Sequence, residues 1–297
     1  MPPLPRSGSL LIRVRPIAGG SKVVSHHGPV VLTPLAGASP DYAAGMYVIE
    51  VPYHLDEARP GAGLPLAANE TVRVPLAPDG EVWDSLAVVF GAVARAVSRA
   101  VSARQVPVVV SGDCSTALGT VAGLQQADLN PAVVWFDAHG DVQTLETSAS
   151  GYLGGLPVRM LTGYRPELLT ARLGLRPVPE HRIVLAGARD LDPPEVAYLE
   201  RARIQCWEVA RLTAEVLPSG PLYVHLDLDV LDPAEVDGLL FPVAGGLQLT
   251  QLAGLLRMLA GTGRVAAVGV ACTWRPGPRT GLRHPEVLTE VLQTLTE

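Results

Sequence analysis

The sequence predicts an α/β fold, a mainly parallel sheet covered on both faces by helices, in one domain spanning residues 1–297. Three observations predict it. Short β-rich runs alternate with segments of helical period along most of the chain. The length of 297 residues, 48% hydrophobic and only 18% charged, suits one large unit that hides roughly three quarters of its unfolded surface, and excludes disorder. Polar residues gather where the runs end, the edge at which open α/β sheets bind ligands.

Leu10 to Ile17 reads as the first strand, and residues 52 to 78, rich in Pro, Gly and Ala, as a long irregular excursion. Asp79-Gly80-Glu81 opens a helix through Ala103, with Val82, Leu86, Val89, Val93 and Val97 at spacings of three and four. Pro107 to Ser111 is the next strand, followed by a turn at Gly112-Asp113-Cys114-Ser115 and a helix through Gln126. The strand ending at Phe136 leads to Asp137 and a polar loop from Gln143 to Gly155. Arg182 to Gly187 is a strand, Pro193 starts a helix, and Leu222 to Leu226 is a strand. Gln248 to Leu259 is a helix, Arg264 to Val270 a strand and Pro285 to Leu295 a closing helix.

The net charge of −6, with no basic run, argues against a nucleic-acid partner. The N-terminal Met1 to Gly8 has no apolar signal core, and no apolar run reaches the about 20 residues that span a bilayer, so no membrane partner is expected. Cys114, Cys206 and Cys272 are far apart and odd in number, which suits a reducing, cytoplasmic setting rather than a disulfide framework.

The chemistry lies at two strand ends. Val133-Val134-Trp135-Phe136 runs into Asp137-Ala138-His139-Gly140-Asp141, and Leu222 to Leu226 runs into Asp227-Leu228-Asp229. In an extended chain, side chains at i, i+2 and i+4 point the same way, so each cluster converges. Clustered carboxylates repel unless cations lie between them, and a carboxylate bridges two ions readily. A pair of divalent metals that activates a water, and hence a hydrolase, is the first expectation.

Gly112-Asp113-Cys114-Ser115, the cluster Asp137 to Asp141, Gly187-Ala188-Arg189-Asp190-Leu191-Asp192-Pro193, the segment Asp227 to Pro233 and Gly245-Gly246-Leu247 occur in an order and spacing that resemble the ureohydrolases, arginase, agmatinase and their relatives. The resemblance runs from about Val106 to Gly246. It implies a three-layer α/β/α domain with two Mn2+ ions between strand ends. It also implies a hydroxide shared by the ions that attacks the guanidinium carbon of a small-molecule substrate, with release of urea, and a homotrimer or homohexamer. Carried over by position, the ligands are Cys114, Asp137, His139, Asp141, Asp227 and Asp229, with Asp141 also the acid/base.

The chain departs from the family pattern in three places. Cys114 stands where the family has a histidine, and is either a small core residue or a thiolate ligand. A thiolate would tilt the site from manganese toward zinc, iron or cobalt. Gly154 stands where most members have a histidine, leaving a proton-shuttling role without an owner. Cys114 with Tyr152-Leu153-Gly154-Gly155 resembles the branch that hydrolyses Nω-hydroxy-L-arginine. Finally, Val268 to Pro276 holds no carboxylate to pair with a guanidinium, and Gly238-Leu239-Leu240-Phe241-Pro242 is apolar, so a neutral substrate suits the site.

Within the resemblance, Asp192 faces a substrate α-amino group, and Gln143, Ser148 and Ser150 lie near an α-carboxylate. Loop capping and a helix start explain the same residues equally well. His26, His27, His54 and His284 read as surface or packing residues, His225 as either a packed strand residue or a support for Asp227, and Cys206 as core. The leading expectation is a hydrolase of hydroxyarginine, then arginine, releasing urea or hydroxyurea. The alternatives are a hydrolase of another amidine or linear amide, and a non-catalytic binding protein of the same fold.

Overall fold

The computed structural model describes residues 45–59, 66–271 and 281–294. The strand expected at Leu10 to Ile17 lies outside these residues, as do Cys272 to Pro276. The strands are β1 (Met46–Val51), β2 (Tyr53–His54), β3 (Glu57–Ala58), β4 (Glu70–Thr71), β5 (Val106–Ser111) and β6 (Ala132–Phe136), followed by β7 (Ile183–Ala186), β8 (Gln205–Trp207), β9 (Leu222–Asp227), β10 (Val236–Asp237), β11 (Val265–Ala271) and β12 (Gly281–Leu282). The helices are α1 (Val82–Ser102), α2 (Ala117–Gln126), α3 (Pro157–Leu161), α4 (Pro193–Leu199), α5 (Leu249–Ala260) and α6 (Pro285–Thr294).

Eight strands form one sheet in the order β4-β1-β5-β11-β9-β6-β7-β8, and every pairing in it is parallel. Its central strands are buried along their whole length, which explains their unbroken apolar sequences. The period of two sorts their side chains between two cores. Val109, Val133, Trp135, Ile183 and Tyr223 pack with Leu86, Phe90 and Val93 of α1 and Leu118 and Val121 of α2. Val108, Val110, Val134, Phe136, Val224 and Val268 pack with Leu252, Leu256 and Leu259 of α5 and Leu288 and Leu292 of α6. This is the three-layer α/β/α arrangement.

Helix α1 spans 21 residues with Asp84 in its first turn and Arg99 in its last, both favourable to the helix dipole. By length and composition it is apolar enough to cross a membrane, the one such helix among the described residues. Its buried stripe, Leu86, Val89, Phe90, Val93 and Val97, faces the core instead.

In the eight-stranded sheet, β1, β4 and β8 lie outside the strands expected from the sequence. The six residues of β1 gain their place by pairing along the whole of β5. β8 is a half-buried three-residue edge strand without an apolar run, defined only by β7. Residues 52 to 78, expected to be irregular, contain the two-residue strands β2, β3 and β4.

Register aligns the strand ends that matter. Ala271 pairs with Ser111 on one side and Asp227 on the other, and Phe136 pairs with Leu226. The C-terminal ends of β5, β9 and β6 therefore share one sheet edge. From that edge α2 leaves β5 toward one layer, while α5, following β9 in the chain, belongs to the other. The crevice between such departures is where open α/β sheets bind ligands.

Candidate metal centre

Each acidic cluster is shaped by its own backbone. Asp113 opens the 3-10 turn Cys114–Thr116 by accepting from the Ser115 N–H at 2.8 Å, so Cys114 stands at the mouth of β5. Asp227 does the same for the turn Leu228–Val230, accepting from the Asp229 N–H at 2.8 Å. Asp137 accepts from the His139 N–H at 2.7 Å, and the Ala138 N–H reaches across to Asp229 at 3.0 Å. Asp141 adopts a left-handed φ of 53°, a conformation costly for a non-glycine residue and typical of functional sites.

Cys114, Asp137 and Asp227 form one group of three, and Asp137, His139 and Asp229 another, each with ligand atoms within 4.8 Å of one another. Asp137 belongs to both. Asp141 lines the same cavity, and its Oδ2 is buried with no hydrogen-bond partner. Such an orphaned carboxylate oxygen is costly unless a cation or a proton satisfies it. Carboxylates, an imidazole and a thiol around one shared aspartate fit two divalent cations.

The protein's own charges place protons where cations would go. Burial, then Asp227, Asp141 and Asp137, push the Cys114 thiol well up, and it donates to Asp227 Oδ2 at 2.9 Å. Burial and the neighbouring Asp137 raise Asp141, and burial and Asp229 raise Asp227. Burial raises Asp229 to about 6 with help from Asp137 and against His139. Burial opposes charge on both His139 and Asp137, yet their hydrogen bonding wins. His139 Nδ1 lies 2.9 Å from Asp229 and 3.4 Å from Asp137, which drives His139 up to about 12 and holds Asp137 low.

Several supports of this cradle come from side chains packed behind it. Trp135 Nε1 donates to Asp137 Oδ2 at 3.0 Å, and the buried His225 ring stacks on Trp135 with centroids 3.6 Å apart. Burial drives His225 down to about 3, so the ring is neutral, and its Nδ1 meets the Tyr223 hydroxyl at 3.0 Å. His225 is thus both a packed strand residue and an indirect support of Asp137. Arg189 reaches the backbone carbonyls of Asp229 at 2.9 Å, Val230 at 3.3 Å, Val243 at 2.8 Å and Ala244 at 3.2 Å. It clamps the turn that carries Asp229.

A cavity of about 220 Å³ opens over the cradle. It is lined by Cys114, Asp137, His139, Asp141, Asp227 and Asp229 at its base, and by Gln143, Ser148, Ser150, Tyr152, Asp192, Glu195 and Phe241 above. Every residue singled out as a candidate from the sequence therefore comes to this one space. Asp192 caps α4, accepts from Gln143 Nε2 at 2.8 Å and donates its own N–H to Glu195 Oε2 at 3.1 Å, so it is both helix cap and cavity wall. Ser148 is half-buried and Ser150 exposed at the rim. His54, read as a surface or packing residue, is half-buried and meets the Tyr152 hydroxyl at 2.8 Å. Cys206 is half-buried, and burial raises its thiol to about 11.

A model of the Arginase family matches residues 44–273. The arginase of Bacillus caldovelox is 38% identical over 182 residues, 56% of this chain and 60% of that protein. The arginase of Bacillus subtilis (strain 168) is 33% identical over 187 residues, 59% of this chain and 63% of that protein. The chain thus spans under two thirds of the length of these curated relatives. The crystal structure of arginase from Bacillus cereus shares the fold, with a TM-score of 0.71 at 24% identity over 84% of this chain and 97% of that one. The match to the family covers most of the sequence and every side chain at the base of the cavity: the chain belongs to the arginase family.

Proposed function

We propose that the protein is a binuclear-metal amidinohydrolase that cleaves a C–N bond of a guanidino-type amino acid, Nω-hydroxy-L-arginine first and L-arginine second. The observation that carries the reading is the sharing of Asp137 between two three-residue groups, with the unpartnered Asp141 oxygen beside them. One ion would be held by Cys114, Asp137 and Asp227 with Asp141 beside them, the other by His139, Asp137 and Asp229. Two divalent cations in this cradle supply Lewis acidity that lowers the pKa of a water. Asp141, strained in φ and short of a partner, is the acid/base that takes a proton and returns it to the leaving nitrogen. A thiol in the donor set favours zinc, iron or cobalt beside manganese.

The substrate preference rests on charge. Asp192 is engaged by Gln143, and Glu195 accepts from the backbone of Val142 and Asp192. The other carboxylates lining the cavity belong to the cradle. Residues 272–280 contain none. With Asp192 taken by the amino-acid end, a cationic guanidinium lacks a spare carboxylate among the described residues that line the cavity, whereas a less basic hydroxyguanidine does not require one. Phe241, 43% exposed at the rim, adds an apolar wall. At the amino-acid end, Asp192 would meet the α-ammonium, and Gln143, Ser148 and Ser150 the α-carboxylate.

Metal analysis followed by product assay tests this reading. Two ions per chain are expected, with release of urea or hydroxyurea fastest from hydroxyarginine among hydroxyarginine, arginine, agmatine and guanidinobutyrate. Metal-loaded protein that hydrolyses none of them refutes the guanidine reading.

A further inference from the structure

Gly154 and Tyr152 share a space that only one of them can fill. A Cβ on residue 154 would overlap the Cε1, Cζ and hydroxyl atoms of Tyr152, so the bare glycine is what lets the Tyr152 ring lie over the cavity. Phe241 lies beside the ring, with centroids 5.2 Å apart at 49°. Its hydroxyl is 2.8 Å from His54 Nε2, and the two rings sit 5.8 Å apart at 35°. A phenol hydroxyl has one proton to give and lone pairs to receive. With one of these engaged by His54, the remaining site is directed rather than free to rotate.

His54 is itself fixed by the loop that carries Cys114. The Gly112 N–H donates to the Tyr53 carbonyl at 2.9 Å, and the Leu55 N–H donates to Asp113 Oδ2 at 2.6 Å. A Cβ on Gly112 would overlap the Tyr53 carbonyl, so the close approach requires glycine there. Leu55 takes a left-handed φ of 53°, which turns the chain immediately after His54. The backbone on both sides of His54 is therefore tied to the residues flanking Cys114, far away in sequence and adjacent in space.

We propose that His54 is a positioning residue for substrate recognition: acting through Tyr152, it aims the phenol hydroxyl at the polar N–O or N–H head of a substrate lying over the cradle. If Nε2 accepts, the phenol proton points to His54 and the phenol oxygen accepts a hydrogen bond from a substrate N–H or O–H. If Nε2 carries the proton, the phenol donates to a substrate oxygen. Either arrangement suits a hydroxyguanidine, which offers both a donor and an acceptor at one nitrogen. The inference rests on the hydrolase reading above, and its test separates the two.

The experiment is a double-mutant cycle of His54→Ala and Tyr152→Phe on the metal-loaded full chain. It reads calorimetric affinity for Nω-hydroxy-L-arginine and L-arginine, kcat and KM, and metal content. Each single variant should bind hydroxyarginine about tenfold more weakly, the scale of one hydrogen bond, with KM raised more than kcat is lowered and both ions retained. The double variant should match Tyr152→Phe within about twofold, because His54 acts through the phenol. His54→Gln, which presents an amide near the position of Nε2, should recover most of the loss. Gly154→Ala, which expels the ring, should reproduce Tyr152→Phe.

Additive losses in the double variant, failure of His54→Gln to recover, or loss of metal in His54→Ala would overturn the inference and make His54 structural. A wild type that binds hydroxyarginine without hydrolysing it refutes the hydrolase reading, while the affinity cycle still decides the role of His54.

Discussion

Replacing Arg189 by Met should loosen the turn that carries Asp229, weakening both the fold and metal binding. The guanidinium donates to the carbonyls of Val243 at 2.8 Å and Asp229 at 2.9 Å, with longer contacts to Ala244 and Val230. Burial lowers its pKa against the pull of Asp229 and Asp137, so its charge is partly desolvated and its hydrogen bonds are stronger for it. Counting only the two short bonds, at roughly 1.5 kcal/mol each for a charged donor, gives a loss of about 3 kcal/mol. For a chain of this size that lowers Tm by about 5–10 °C. Supports of this kind behind a ligand change metal affinity by about 10- to 100-fold when removed. Thermal unfolding by circular dichroism and metal titration measure both effects. Arg189→Lys should recover part of each, since an ammonium cannot span the same set of carbonyls. An Arg189→Met protein with unchanged Tm and unchanged metal affinity would refute the clamp.

Four further outcomes are expected. Asn tolerates the φ of 53° at position 141, so Asp141→Asn should fold and yet lose turnover by about 100-fold or more in a product-release assay. Because burial and Asp137 raise the folded pKa of Asp141 above its ordinary 3.8, ionising it costs folding energy that is absent near pH 3.8 and grows as pH rises toward the folded value. Metal-free Asp141→Asn should therefore melt above metal-free wild type at neutral pH, with the gap closing on acidification in a pH series of melts.

Metal binding should release protons and strengthen as pH rises, because ligation takes the proton from His139, raised to about 12, and from the Cys114 thiol. Calorimetry in buffers of different ionisation heat measures the release, and none at neutral pH would contradict this charge arrangement. Cys114→Ser should lower zinc affinity more than manganese affinity in competition titrations, and an equal change would argue against a sulfur ligand.

Much of the candidate metal centre is readable because its residues are local. Asp137, His139 and Asp141 lie within five residues at the end of an apolar run, as do Asp227 and Asp229, so period and burial alone converge each set. The helices α1, α2 and α5 and the strands β5, β6, β9 and β11 also stand out by their own apolar patterns. What escaped is non-local. β1 and β8 exist through pairing with β5 and β7 rather than through any pattern of their own. His54 reads as a surface or packing residue because nothing near it in sequence carries chemistry. Arg189 stands in a motif of the sequence, and only the fold shows that it holds the backbone of the turn carrying Asp229.

By itself the sequence determined the layer architecture, the two acidic strand ends and the three departures at Cys114, Gly154 and the segment after β11. The tertiary structure alone decided that the strand order β5-β11-β9-β6 brings those ends to one edge, that Asp137 is the shared carboxylate, and that Tyr152 takes the space left by Gly154 under the hold of His54. The physical reason is that apolar period and backbone turns act over a few residues. The choice of neighbour strand, and of the side chain that fills a gap, is settled by packing between segments far apart in the chain.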